Sequence, residues 1–508
     1  MNNKVKKNIG KKTAVLLASA MLSCGGMTEI GCALGDGMCS LTVSAAENET
    51  PTNSFEYKEN YNGTVTITKF IGSETMVFVP EKINGKTVWE IGRGAFMDCV
   101  TLKSIIIPEC VNSIGENAFR GCTGLTDVNL PKGIQSIDPG TFQGCSSLKS
   151  IIIPDSVAWL WDAFSGCDQL ESITIPGKVK YLYDDPFRGC NGLINIYVDE
   201  QNEDFASVDG VLFNKDKTEL IQFPSGRSGD YVIPDTVSSI DMRAFQDCKK
   251  VTGVYIPSSV TDVGWPKFNG GMVFNGCSSL LSINVDPENS AYMSIDGVLF
   301  YKDKSLIVCC PGGKSGKYTI PDGVTEIGWY VFAVCDKLTE ISIPGSVKYI
   351  GCSAFEDCTN LTSAVLTYGI NDIGVKAFYG CPNLKSITVP SSVTYIKEKA
   401  LGYCDDETGS EVKVEDFTIY GVTGSVAEEY ANENGFAFVP IINIVKGDTN
   451  GDGTADIADA LMISRYDAGL ITMDSTQISV SDVNGDDSAD IADALMIARY
   501  DAGLIDKL

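Results

Sequence analysis

The sequence predicts a β-rich solenoid of stacked short repeats with a cap at each end, followed by a small all-α module. Three observations predict it. From residue 91 the pattern IGxxAFxxCxxLxxIxIPxxVxx returns at a nearly fixed step, with Phe96, Phe119, Phe142, Phe164 and Phe187 spaced 22 or 23 residues apart. Two wider intervals hold a longer unit, SVDGVLFNKDKTELIQFP from Ser207 and SIDGVLFYKDKSLIVCCP from Ser294. Near the end, the 17 residues from Ala455 to Ile471 recur from Ala489 to Ile505 with one exchange, Ser464 for Ala498. No unit of this length can bury its own Leu, Ile, Val and Phe, so each turn must cover its neighbour and the two ends must be capped.

Residues 1–46 read as an export signal. Lys4, Lys6, Lys7, Lys11 and Lys12 precede the apolar run TAVLLASAML, and small residues follow at VSAAEN, with cleavage expected near Ala45 or Ala46. That run is too short to span a bilayer, and no other stretch approaches 18 apolar residues. Cys24 after MLS matches a lipidation box only poorly.

Residues 52–90 depart from the repeat and read as its N-terminal cap. The repeats run from 91 to 413, where the series continues through Phe245, Phe274, Phe332, Phe355, Phe378 and Leu401, eleven turns in all. The two longer units each read as strand, polar turn, strand. Residues 414–440 depart again as a C-terminal cap, in which Ser425 is placed to start a short helix through Asn434. A linker at 441–446 leads to the duplicated module at 447–508.

Cys99, Cys122, Cys145, Cys167, Cys190, Cys248, Cys277, Cys335, Cys358, Cys381 and Cys404 share one place in the repeat. Equivalent residues on parallel turns lie about 4.8 Å apart with side chains pointing the same way, too far for a disulfide between Cβ atoms. A ladder of small buried thiols is the expectation.

The 508 residues carry a net charge of -27 and a pI near 4.4, so no nucleic-acid partner is expected, nor an anionic membrane. Histidine is absent, which removes Ser-His and Cys-His nucleophiles, histidine bases and histidine-held zinc.

The repeat resembles the BspA-like leucine-rich repeats, whose units read LxxIxIPxxVxxIGxxAFxxC as these do. The resemblance covers roughly residues 52–440 and implies a leucine-rich-repeat solenoid and a secreted or cell-surface binding protein, with no particular ligand.

Within IxI the middle residue points outward, and the series there is Ile106, Asn129, Ile152, Thr174, Tyr197, Tyr255, Asn284, Ser342, Val365 and Thr388. The adjacent turns VAWLWDAF and VKYLYDDPF set Trp159 over Tyr181 and Trp161 over Tyr183. With Tyr197 and Tyr255, these four form a candidate ligand surface for sugar rings or a partner's side chains. The alternative is that the rings pack on one another and cover a turn one residue short.

In the duplicated tail, Asp448, Asn450, Asp452, Thr454, Asp456 and Asp459 follow the oxygen spacing of a 12-residue EF-hand-type loop. Asp482, Asn484, Asp486, Ser488, Asp490 and Asp493 repeat the set, with Asp487 where the first copy has Gly453. Hard oxygens at alternate positions suit calcium. After each loop, Ile457, Ala460, Leu461 and Ser464, and their copies Ile491, Ala494, Leu495 and Ala498, follow helical spacing, so the two apolar faces are expected to pair.

Residues 447–508 resemble type I dockerins. That resemblance implies two calcium ions held by the loop residues and a cohesin of a cellulosomal scaffoldin as partner. It also implies a cohesin-binding surface of Ile457, Ala458, Ser464 and Arg465 in one copy and Ile491, Ala492, Ala498 and Arg499 in the other. Ile-Ala in place of the Ser or Thr of many clostridial members points to a cohesin of ruminococcal kind. The near-perfect duplication implies two docking orientations related by about 180°. The leading expectation is a secreted, non-catalytic binding component of a cellulosome, held at the cell surface or in the complex through its scaffoldin. The alternatives are a surface-architecture or host-interaction protein and an unrecognised glycan hydrolase.

Overall fold

In the computed structural model, residues 49–183, 185–264, 270–441, 446–450, 454–473, 475–486 and 488–508 are described. The expected export signal lies outside them, as do most of the linker and Asp452, Gly453 and Asp487 of the acidic loops.

Each repeat closes into a coil because its apolar residues alternate where the chain is extended and cluster where it turns. In the IxIP strand the first and third residues face inward: Ile105, Ile107, Ile173, Ile175, Ile341 and Ile343 are at most 2% exposed. The middle residue faces out, with Ile152 73% and Val365 53% exposed. Parallel pairing then lays equivalent residues over one another, Thr174 on Tyr197, Ser342 on Val365 and Val365 on Thr388. A second row of two-residue strands lines another face, where Trp159–Leu160 pairs with both Ser136–Ile137 and Tyr181–Leu182.

Between the two rows run the phenylalanines. Phe96, Phe119, Phe142, Phe164 and Phe187 stack with ring centroids 5.2 to 6.0 Å apart, and Phe332, Phe355 and Phe378 at 4.7 to 4.8 Å. Burying each ring contributes roughly 2–3 kcal/mol before chain entropy is counted. Phe70 stacks on Phe96 at 5.2 Å and Phe55 leans on both, so the N-terminal cap ends the column with rings of its own.

The expected thiol ladder runs beside this column. Cys122, Cys145, Cys167, Cys190, Cys277, Cys358 and Cys381 are buried and unbridged, and each Sγ donates to the carbonyl of the phenylalanine one coil earlier at 3.0 to 3.2 Å. Burial pushes these thiols up, Cys122 to about 12. Cys99, beside the cap, is only half-buried.

Two residues past each phenylalanine the backbone turns left-handed. Gly121, Gly144, Gly166, Gly189 and Gly380 occupy that place in some coils, Asp98, Asp247 and Asp357 in others, and the β-branched Val334 at φ 59° in one. A left-handed turn is easy for glycine and tolerable for aspartate, but strained for valine.

The two longer units each supply a coil that the regular spacing hides, so the turns exceed the eleven read from the motif. Phe205–Val208, Val211–Asn214 and Glu219–Gln222 form an antiparallel meander whose last strand pairs in parallel with the next regular coil at Ser239–Ile240. Phe223 then takes a place in the column, 5.0 Å from Phe245. The second unit repeats the arrangement from Tyr292–Ile295 to Leu306–Cys309.

A buried asparagine pins each unit to the preceding coil. Asn202 Nδ2 donates to Pro176 O at 2.8 Å and Val179 O at 2.9 Å, while its Oδ1 accepts from Asp204 N and Phe205 N. Asn289 makes the same four bonds with Pro257, Val260, Ala291 and Tyr292. The two units divide the main parallel sheet into successive segments, of which the last runs from Gly316–Thr319 to Ala437–Pro440.

The C-terminal cap continues that segment with Thr418–Gly421 and Ala437–Pro440 around a helix, Val426–Asn434. Ser425 stands at the N-cap position as expected, but its hydroxyl caps nothing; Glu428 Oε2 accepts from Gly424 N at 2.6 Å instead.

Candidate metal loops and protein-binding face

Beyond residue 446 the described chain is helical: Ile457–Asp467, Ser475–Ser481 and Ile491–Asp501. The outer two are the expected copies. Each is started by its own acidic loop. Asp456 accepts from Ala458 N at 2.7 Å, and its backbone N–H donates to Asp459 Oδ2 at 2.9 Å. Asp459 Oδ1 also accepts from Asn450 N at 2.8 Å. Asp490, Ala492 and Asp493 repeat this geometry, with Asp493 Oδ1 accepting from Val483 N and Asn484 N at 2.9 and 3.0 Å. Both terminal aspartates are fully buried, and burial raises the Asp459 carboxyl above its ordinary value.

In the second loop, carboxylate oxygens of Asp482, Asp486 and Asp493 lie within 4.8 Å of one another. Gly485 N and Asp486 N donate to Asp482 Oδ1 at 2.6 and 3.1 Å, and Ser488 bonds Asp486 by both hydroxyl and backbone N–H, which lowers that carboxyl. Three like charges at this spacing repel unless a cation lies among them. Hard oxygens at positions 1, 5 and 12 suit calcium. In the first loop, Asp448 is buried and the Thr454 hydroxyl donates to Asp456 Oδ2 at 3.3 Å, whereas Asp452 is not described.

On the solenoid the candidate ligand surface divides. Trp159 and Tyr181 pair in register and are 39% and 47% exposed, whereas Trp161 stacks on Tyr183 at 4.1 Å and 17°, and Tyr181 on Tyr183 at 5.7 Å and 16°. Trp161, Tyr181 and Tyr183 therefore spend ring faces on one another, across the coils and within one. Tyr197 and Tyr255 lie on the other row of strands, in different sheet segments, and the Tyr255 hydroxyl donates to Asp286 Oδ2 at 3.0 Å. Asp185, two residues past Tyr183, is held at φ 54° and accepts from Gln222; burial lifts its carboxyl to about 6.

The family model of the BspA type Leucine rich repeat region, in 6 copies, matches residues 89–218, 223–309 and 314–408. The chain belongs to this family. The Dockerin type I domain model matches residues 446–500, so the acidic loops and their helices are a dockerin, a calcium-binding module. A leucine rich cell surface protein from Faecalibacterium prausnitzii is similar at 28% identity and a TM-score of 0.43, covering 74% of this chain and 89% of that one. A leucine-rich repeat protein from Eubacterium ventriosum is similar at 20% identity and a TM-score of 0.43, covering 69% and 92%. The T. pallidum Leucine Rich Repeat protein is similar at 26% identity and a TM-score of 0.32, covering 46% and 91%. A comparison with curated proteins finds no match.

The dockerin helices pair by only part of the faces expected. Ala460 and Ile463 meet Ala494 and Ile497 in a small core, whereas Ile457 and Leu461 point out, 61% and 52% exposed, as do Ile491 and Leu495 at 60% and 52%. The reason is the loop: Asp459 and Asp493 are drawn inside to cap, and residues one and four further on follow them in. Ala458, Arg465, Ala492 and Arg499 are exposed with the isoleucines, while Ser464 and Ala498 lie half-buried at the margin. Sequence reasoning missed Leu461, Leu495, Leu470 and Leu504 on the outside, the last two 73% and 72% exposed. Their signal was repetition without burial.

Proposed function

We propose that this protein is a secreted, non-catalytic binding component, docked through its calcium-loaded dockerin onto a cohesin of a cellulosomal scaffoldin and acting in plant polysaccharide degradation or adhesion. Residues 1–46 direct export, the caps at 52–90 and 414–440 enclose the repeats of 91–413, and 441–446 links them to the dockerin of 447–508. Two calcium ions sit one in each loop, on Asp448, Asn450, Asp452, Thr454, Asp456 and Asp459 and on Asp482, Asn484, Asp486, Ser488, Asp490 and Asp493.

The observation that carries this reading is the paired set of exposed apolar and arginine residues, Ile457, Leu461 and Arg465 against Ile491, Leu495 and Arg499, on helices started by the two loops. A surface that is apolar, duplicated and outward-facing suits a protein partner. Its duplication supports docking in either of two orientations. The repeats supply the ligand-binding part, for which the outward-facing middle residues of the strands are the candidate surface.

Calorimetric titration of the full chain with a panel of cohesins tests this. Nanomolar binding in calcium that vanishes with a chelator is expected. Calcium uptake without binding to any cohesin would overturn scaffold delivery and favour a surface-architecture role.

A further inference from the structure

The two longer units begin a duplication of about 87 residues, in which Phe187 matches Phe274, Asn202 matches Asn289, Phe213 matches Phe300 and Cys248 matches Cys335. One core position breaks the correspondence. Where the first copy has Phe223, stacked 5.0 Å from Phe245, the second has Cys310. The ring column stops there, and a second thiol takes the place facing the ladder cysteine of the next coil.

The contact differs from every regular rung. Equivalent ladder cysteines are held apart by the coil rise and donate to phenylalanine carbonyls. Cys310 and Cys335 are not equivalent: one stands at the phenylalanine place, the other three residues past that place in the following coil. Cys310 Sγ and Cys335 Sγ are each 3.8 Å from the same Pro311 O, so the two thiols converge on one backbone carbonyl. Cys310 N donates to Val331 O at 2.9 Å, which holds the two coils together at this point. Cys309, the next thiol, turns away and donates to Cys310 O at 3.3 Å.

We propose that Cys310 and Cys335 form a disulfide that staples the second long unit to the coil after it. The oxidant is a soluble disulfide. Exchange forms one Cys310–Cys335 S–S bond, breaks one S–S bond of the reagent, and leaves two reduced reagent thiols carrying the two protons. Cys310 is 4% and Cys335 0% exposed, so the exchange takes place during folding, before this coil closes. The regular ladder thiols stay reduced because their spacing is too wide.

The full chain, refolded in oxidised and reduced glutathione, alkylated under denaturing conditions and digested with trypsin, tests this by peptide mapping. The expected product joins peptides 305–314 and 318–337 through Cys310, two hydrogens lighter than their sum, and disappears on reduction. Cys310→Phe, which restores the residue of the first unit, should abolish the link and leave Cys335 alkylated. Complete alkylation of the wild type, a link confined to Cys309 and Cys310, or Cys335 joined to any other cysteine would overturn the proposal.

Discussion

Asp490 and Asp493 cap one helix reciprocally: the Asp490 backbone N–H donates to Asp493 Oδ2 at 3.0 Å, while the Asp490 carboxylate accepts from the helix backbone behind it. Asp493 is also the last acidic position of the loop, so the group that starts the helix closes the metal loop. A calcium ion held by this loop would therefore be coupled to helix formation. Asp493→Ala removes three accepted N–H bonds and a carboxylate. Calcium titration of the full chain should lose one site, and the dockerin helices should lose about 2 kcal/mol or more. Unchanged calcium stoichiometry would refute the coupling.

Two equivalent faces predict a particular mutational pattern. Replacing Ile457 and Leu461 by Ala, or Ile491 and Leu495 by Ala, should weaken cohesin binding only about twofold, because one of two equal modes is lost. Replacing all four should weaken it on the order of 100-fold. Loss of all binding from either pair alone would exclude two modes.

The asparagine brackets predict a local fault. Asn202→Ala leaves two carbonyls and two amides of adjacent coils without their buried partner, at a cost of about 3 kcal/mol. Hydrogen exchange should accelerate across 205–222 and stay unchanged across 292–309, where Asn289 holds the second unit. Equal acceleration in both would show that the units unfold together.

Asp185 predicts a pH dependence. Its carboxyl titrates near 6 in the folded chain against an ordinary 3.8, so folding binds its proton more tightly. The stability it contributes is present below pH 3.8 and is lost as pH rises through 6. Asp185→Asn keeps the acceptor for Gln222 and tolerates the left-handed turn. It should stabilise by roughly 1–3 kcal/mol at pH 7 and by almost nothing near pH 4, read from thermal melts. A gain of the same size at both values would point away from titration.

Val334 is a β-branched residue at φ 59° where most coils place glycine or aspartate. Val334→Gly should raise stability by about 1 kcal/mol despite the greater entropy of the unfolded glycine chain. A fall in melting temperature would mean that the valine side chain contributes more by packing than the turn costs in strain.

The coil was legible because each repeat reports the environment of the next: Ile173, Leu125 and Phe142 have copies of themselves as neighbours, so one spacing specifies both pattern and packing. The acidic loops were legible because their oxygens are set by a short stretch of chain. The two extra coils were not. They turn on Asn202 and Asn289 bonding carbonyls 23 to 32 residues upstream, across a coil boundary that spacing within one unit does not mark.

By itself the sequence determined the solenoid, its thiol ladder, its caps, and a twice-written module of acidic loop and helix, since all of these follow from periodicity and local chemistry. Only the tertiary structure decided that Leu461 and Leu495 face out while Ile463 and Ile497 face in, that Trp161 and Tyr183 spend their faces on each other, and that Cys310 and Cys335 converge on the Pro311 carbonyl. The physical reason is the same in each case: which side of a coil or helix is buried depends on what packs beside it, and that neighbour lies elsewhere in the chain.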